Sequence, residues 1–337
     1  MTCSSCSLHA PTSSFSLFFT SRRSRGRDMS CPNLLLSNPR KHATLRLSKI
    51  SGHTTELLEI QSDKPTFHVL FIPGNPGVVS FYKDFLESLY ELLGGSASVT
   101  AIGHISHTEK NWEHGKLFSL QDQIDHKVDF IKQELQNNEL PIVLVGHSIG
   151  SYMSLEILRF LEKVTYFIGL YPFLMLNPLS KQQSNIENVA ESSILSALLS
   201  FSVASLGLLP QCTLRFILSK SLGSSWSDTA IDAACSHLLQ YHTIRNMLYM
   251  ALMEFRKLSE MPDWAFMREN HEKIAFLFGV DDHWGPLQMF EEISKQVPGI
   301  SLSIEREGHT HSFCCTEAGS EWVAHHVASL IKKKLPS

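Results

Sequence analysis

The segment that most constrains this chain is 141–162. A short apolar strand, PIVLVG, runs directly into Gly146-His147-Ser148-Ile149-Gly150 and out into a helix-patterned stretch, IGSYMSLEILRFLE. The five residues fit G-x-S-x-G, and their strand–turn–helix setting carries more weight than the letters. So sharp a turn puts the serine into strained dihedrals and lifts its hydroxyl above the sheet. Side chains at the flanking positions would clash, which is why glycines stand there. The start of the following helix aims free N–H groups at any negative charge forming beside the serine. Ser148 is the candidate nucleophile, and the Ile149 N–H a candidate oxyanion donor.

The surrounding pattern alternates strands and helices. Residues 54–60 read as an early antiparallel strand, and His68–Ile72 as a buried one ending in Pro73-Gly74-Asn75-Pro76-Gly77. A helix over 80–93, a strand at 98–103 and an amphipathic helix over 119–137 follow. Beyond the elbow come a helix over 149–162 and a strand at 164–170. The rhythm resumes with a strand at 274–279, a helix at 286–296, a strand at 301–305 and a last helix at 316–334. Buried strands alternating with helices predict an α/β architecture, a mostly parallel sheet covered on both faces. The expected organisation is a basic leader over 1–42, a core over 43–172 and 271–337, and a helical cap inserted over 173–270.

A nucleophilic serine needs a base and an acid, which in this architecture follow it in the order acid, then histidine. The strand 274–279 leads to Asp281, Asp282, His283, Trp284, Gly285 and Pro286. The strand 301–305 leads to His309, Thr310, His311, Ser312 and Phe313. Asp282 is preferred as the acid, three residues past the strand-ending Gly279 and close before Pro286, with Asp281 read as capping the turn or the following helix. His311 is preferred as the base because Phe313 can pack its loop down; His309 would face solvent or support its neighbour. The second oxyanion donor should come from the loop after 68–72. Pro76 has no N–H, so Asn75 is the candidate, paired with Ile149.

Composition narrows the function. Lys and Arg number 29 against 33 Asp and Glu, a net charge of −4 that argues against a general nucleic-acid binder. The scattered His and Cys residues show no metal-ligand spacing, and the chemistry of a serine, a histidine and an aspartate calls for no metal and no organic cofactor. The seven cysteines form no disulfide framework, which suits a reducing compartment. Residues 1–50 hold eight basic side chains and one acid, with nine serines in the first 30. That composition resembles an organellar transit peptide, with a plastid as one address; the plainer readings are a disordered tail or a second start at Met29.

The chain resembles the lipid droplet-associated hydrolase family, a branch of the α/β-hydrolase superfamily. The residues that carry the resemblance are Ile72-Pro73-Gly74-Asn75-Pro76-Gly77 with Phe81-Tyr82, Gly146-His147-Ser148-Ile149-Gly150, Asp282-His283-Trp284-Gly285-Pro286 and His311-Ser312-Phe313. It spans roughly 50–335. Gly103-His104-Ile105-Ser106-His107 also resembles a family stretch, without an assigned role. The resemblance implies an α/β-hydrolase fold with Ser148, Asp282 and His311 as its triad. It further implies a serine hydrolase of lipid carboxylic esters, sterol esters or acylglycerols, on the cytosolic surface of lipid droplets and the endoplasmic reticulum. The alternative is a hydrolase-fold protein with an idle site that binds and organises droplets. Acyl transfer ranks lower, because no His-x-x-x-x-Asp signature is present.

Residues 192–214 carry no charged side chain, and Gly207 and Pro210 interrupt any helix there. They read either as a buried cap helix or as a helical hairpin dipping into a phospholipid monolayer.

Overall fold

The computed structural model describes residues 41–136, 139–221 and 225–335. The leader expected over 1–42 lies almost wholly outside them. An eight-stranded sheet forms the centre, in the order β1-β2-β4-β3-β5-β6-β7-β8. Its strands are β1 (Thr44–Ile50), β2 (His53–Ile60), β3 (Phe67–Ile72), β4 (Ala97–Ile102), β5 (Ile142–His147), β6 (Val164–Leu170), β7 (Ile274–Gly279) and β8 (Ser301–Glu305). β1 and β2 pair antiparallel, as do β2 and β4, and every later pairing is parallel. This order is that of an α/β-hydrolase, as the resemblance implies.

Helices cover both faces. Among the described residues they are α1 (Lys83–Leu92), α2 (Leu120–Phe130), α3 (Ile149–Phe160), α4 (Lys181–Glu191), α5 (Ser193–Leu206), α6 (Gln211–Ser221), α7 (Asp228–Ala233), α8 (Tyr241–Leu258), α9 (Trp264–Glu269), α10 (Leu287–Gln296) and α11 (Glu317–Lys334). The central strands are buried at every position, so alternate residues feed two cores. Val69, Phe71, Val143, Val145 and Leu277 pack with α1 and α11. Leu70, Ile72, Leu144, Phe276 and Phe278 pack with α2, α3 and α10. Six helices, α4 to α9, lie between β6 and β7 in the region expected to be an insertion.

Two local features depart from the sequence reading. β1 was not anticipated: its Leu45 and Leu47 are each 52% exposed, so its alternation points outward and gives no burial signal. A two-residue turn, Ser51-Gly52, with positive φ at both positions (49° and 86°), closes it onto β2. The helix expected over 119–137 is α-helical only to Phe130 and widens to a π-turn over Ile131–Leu135.

The elbow is held by close backbone packing. A Cβ on Gly146 would strike the Gly150 carbonyl and the Ser154 hydroxyl, and one on Gly150 would strike the Ile72 and Pro73 carbonyls at the end of β3. Those neighbours are mostly backbone and cannot swing away. Gly150→Ala is therefore expected to cost about 1–3 kcal/mol, read as a lowered midpoint in urea unfolding with an unchanged slope.

Candidate active site

Ser148 ends β5 and opens α3 with φ 54° and ψ −124°. A non-glycine residue pays for such a conformation, and here the surroundings enforce it. The Ser148 N–H donates to the Leu170 carbonyl at 3.0 Å, and the Ser148 carbonyl accepts from Ser151 (2.9 Å) and Phe173 (3.2 Å). The main chain on both sides of the side chain is thereby fixed, and the residue is 8% exposed.

Asp282 and His311 meet as the sequence suggests: His311 Nδ1 lies 2.9 Å from Asp282 Oδ2. The aspartate side chain is 1% exposed and the histidine 18%. Asp282 Oδ1 accepts the Trp284 N–H at 2.9 Å. The turn-capping role expected of Asp281 thus belongs to Asp282 itself, and Asp281 is exposed. One oxygen holds the loop and the other faces His311. With Nδ1 donating, His311 presents Nε2 as the free acceptor. Ser148 and His311 line one cavity of about 140 Å³, together with Gly74, Asn75, Phe81, Trp226, Leu238 and Cys314. Phe313 anchors the histidine loop, 1% exposed and stacked on Tyr171 at 5.6 Å. His309 lies apart, against the Trp322 ring.

The Asn75 loop faces the elbow. A Cβ on Gly74 would lie 3.0 Å from Ser148 Cβ, tight enough that a side chain there would push the loop and the elbow apart by a few tenths of an ångström. Among the described residues, neither the Asn75 nor the Ile149 main-chain N–H has a protein acceptor. Two unspent donors beside a serine can accept a developing oxyanion.

Several supporting residues escaped the sequence reading. The Gly74 N–H donates to Tyr82 Oη (3.2 Å), Tyr82 donates to His147 Nδ1 (2.7 Å), and His147 Nε2–H donates to the His311 carbonyl (2.9 Å). This chain runs from the Asn75 loop through the elbow to the base, and it requires a neutral His147. Burial holds that imidazole well below its ordinary pKa, helped by nearby His311. Gly103–His107 also gains a role. His107 Nδ1 accepts the Gly77 N–H at 2.9 Å, and the His104 N–H donates to the Gly77 carbonyl at 3.0 Å. Burial lowers the His107 pKa to about 3, which keeps the acceptor unprotonated. The elbow and the Phe81-Tyr82 motif were visible signals; the hydrogen-bond chain through them was not.

Glu254 of α8 was missed as well. It is 4% exposed, and its Oε1 accepts from Asn75 Nδ2 at 3.0 Å. Burial raises its pKa from 4.5 to about 8, with the Asn75 bond pulling partly back. The unfolded chain therefore releases this proton first, so stability falls as pH climbs from about 4.5 to about 8. Glu254→Gln, which stays neutral, is expected to flatten that fall and raise the melting temperature at pH 8 by about 5 °C in a pH-series of thermal melts.

The comparisons with known proteins bear on the family and the fold. A family model described as lipid-droplet associated hydrolase matches residues 65–314. The lipid droplet-associated hydrolase of Dictyostelium discoideum is 28% identical over 283 residues, covering 78% of this chain and 88% of its own. The Homo sapiens protein of that name is 26% identical, covering 78% and 84%. Among solved structures, a laboratory-evolved variant of potato epoxide hydrolase aligns with a TM-score of 0.63 at 16% identity, over 86% of this chain and 99% of its own. A soluble variant of Saccharomyces cerevisiae monoglyceride lipase aligns at 0.61 and 12%, over 91% and 99%. These two likenesses speak for the α/β-hydrolase fold alone. The match across residues 65–314 makes the chain a member of the lipid-droplet associated hydrolase family.

Proposed function

We propose that this hydrolase is a serine esterase that cleaves carboxylic esters of lipids at the droplet surface. The observation that carries the reading is the 2.9 Å Asp282–His311 bond beside a cavity shared by His311 and Ser148. Ser148 Oγ attacks the ester carbonyl as His311 Nε2 takes its proton. The carbonyl oxygen becomes an oxyanion facing the Asn75 and Ile149 N–H groups. Collapse expels the alcohol, which receives the proton from His311 and leaves an acyl group on Ser148. Water, deprotonated by His311, attacks that acyl group; the acid departs and the proton returns to Ser148. Asp282 keeps the imidazole in the productive tautomer and stabilises its cation.

Lipid as substrate is supported by the relatives' name and by the polarity of α5. On that helix Ile194 is 73% exposed, Leu198 58% and Phe201 69%, while Ser196 and Ser200 are buried. Leu208 and Phe216 extend the apolar surface at 87% and 64%. A helix that buries two serines while exposing Ile194, Leu198 and Phe201 suits an apolar medium better than water. No single described helix is long and apolar enough to cross a membrane, and α4 meets α5 at a 100° bend. These features support a shallow seat in a phospholipid monolayer, of a droplet or of the endoplasmic reticulum.

The full chain is expected to hydrolyse members of a panel running from a soluble short ester to triacylglycerol and cholesteryl ester. Ser148→Ala should lower kcat at least about 10³-fold and abolish labelling by a fluorophosphonate. Folded wild type that neither labels nor turns over would favour the droplet-organising alternative. Leu198→Asp with Phe201→Asp should abolish flotation with phosphatidylcholine-coated triacylglycerol droplets and leave turnover of the soluble ester near wild type; retained flotation would move the docking surface elsewhere.

A further inference from the structure

The inner stripe of α8 is His242, Asn246, Met250, Glu254 and Leu258, one residue per turn, all buried. Its polar members bond to loops around the candidate site. His242 Nε2–H donates to the Thr108 carbonyl at 2.8 Å. Asn246 Nδ2 donates to Ser106 Oγ (3.0 Å), and Asn246 Oδ1 accepts the Phe118 N–H (3.0 Å). Glu254 reaches the loop that matters most, because Asn75 Nδ2 donates both to its Oε1 (3.0 Å) and to the Met247 carbonyl (2.9 Å).

Asn75 thus carries two separate jobs on one residue. Its main-chain N–H is the candidate oxyanion donor, and both hydrogens of its side-chain amide go to α8. The side chain is the handle by which the cap holds the donor. The loop is gripped from below through Gly77 by His107 and His104 and at its start through Gly74 by Tyr82. At Asn75 itself, the side-chain bonds all come from α8.

We propose that Glu254 is a positioning residue for the oxyanion donor: by fixing the Asn75 side chain, it sets where the Asn75 main-chain N–H points. This rests on the serine-esterase reading and assigns the cap a part in it. A protonated Glu254 still accepts at Oε1, so the elevated pKa leaves the link intact at neutral pH. The bond is worth keeping in a buried site, since loss of the acceptor leaves an amide hydrogen unpaired. The interaction matters in the transition state, where oxyanion geometry counts, and much less in the ground-state complex.

The test compares Glu254→Ala, Glu254→Gln, Asn75→Ala and the double variant Asn75→Ala/Glu254→Ala with wild type, using the full chain and a soluble chromogenic ester. Glu254→Ala is expected to lower kcat about 10-fold or more with KM within about twofold, and to slow fluorophosphonate labelling in step. Glu254→Gln, which keeps the acceptor, should restore kcat to within about threefold of wild type. The double variant should be no slower than Asn75→Ala, because both remove one linkage. Thermal melts of every variant confirm that the proteins compared are folded, and their cycle reads the Asn75–Glu254 coupling without turnover. A folded Glu254→Ala with unchanged kcat, a loss confined to KM, equal losses in Ala and Gln, or additive effects in the melts overturns the assignment. Wild type that neither labels nor hydrolyses the ester overturns the esterase reading itself, and this inference with it.

Discussion

The close approach of two backbones at the end of β3 and the start of α3 is the constraint on which the site depends. Gly150 sits against the Ile72 and Pro73 carbonyls, and Gly74 against Ser148. Ser148, between these contacts, holds a positive φ that its own preferences would avoid. The hydrogen bond from its N–H to Leu170 ties this strain to β6, in the centre of the sheet. A site on such a frame does not relax when solvent is excluded. In the proposed esterase the Asn75 and Ile149 N–H groups serve as a preorganised oxyanion hole on this frame.

Neutral groups do most of the holding. His107 and His147 work as single-tautomer hydrogen-bond partners, and burial keeps both from protonating. Lys127, fully buried, donates to the Gly103 carbonyl, at the start of the loop that grips Gly77. Burial lowers its pKa, while Gln123 Oε1 (3.0 Å) and His126 Nδ1 (3.3 Å) give it two further acceptors, enough for the three hydrogens of an ammonium. A charged His147, its ring 4.8 Å from that of His311, would disfavour the protonated His311 that the proposed mechanism needs. Neutral dipoles fix geometry at a smaller electrostatic penalty, provided every buried group that matters has its partner.

What could be read from the sequence follows the range of the forces involved. The central strands and the elbow were legible because local apolar pattern and glycine sterics determine them. β6, β7 and β8 fall at the residues expected, and Asp282 and His311 come together because loops after successive parallel strands must open on one edge of the sheet. β1 escaped the sequence reading although Leu45 and Leu47 alternate with Arg46 and Ser48; as the edge strand it is placed by its antiparallel pairing to β2 and not by burial, its leucines being 52% exposed. Asp282's second bond was also hidden, since spacing alone cannot divide turn capping from catalysis between neighbouring aspartates. Glu254 was the hardest case. Its partner is 179 residues away, and the only local sign is one acid among the apolar residues of an amphipathic helix.

The cap inverts the usual polarity of a soluble helical layer. α8 turns His242, Asn246 and Glu254 inward onto the site loops, while α5, bonded to α8 through Arg245 Nη1 and Ser196 Oγ at 2.6 Å, turns leucines and phenylalanine outward. In water this arrangement forgoes burial of the α5 face, and the layer is held instead by α8, through its apolar residues Met250, Phe255 and Leu258 in the core and its hydrogen bonds to the site loops. Against lipid the balance shifts. The outer face loses its contact with water, and hydrogen bonds beneath it lie in a drier medium where competing water is scarce. The lipid seat proposed for α5 and the grip on Asn75 proposed for α8 thus lie one helix apart, joined by the Arg245–Ser196 bond.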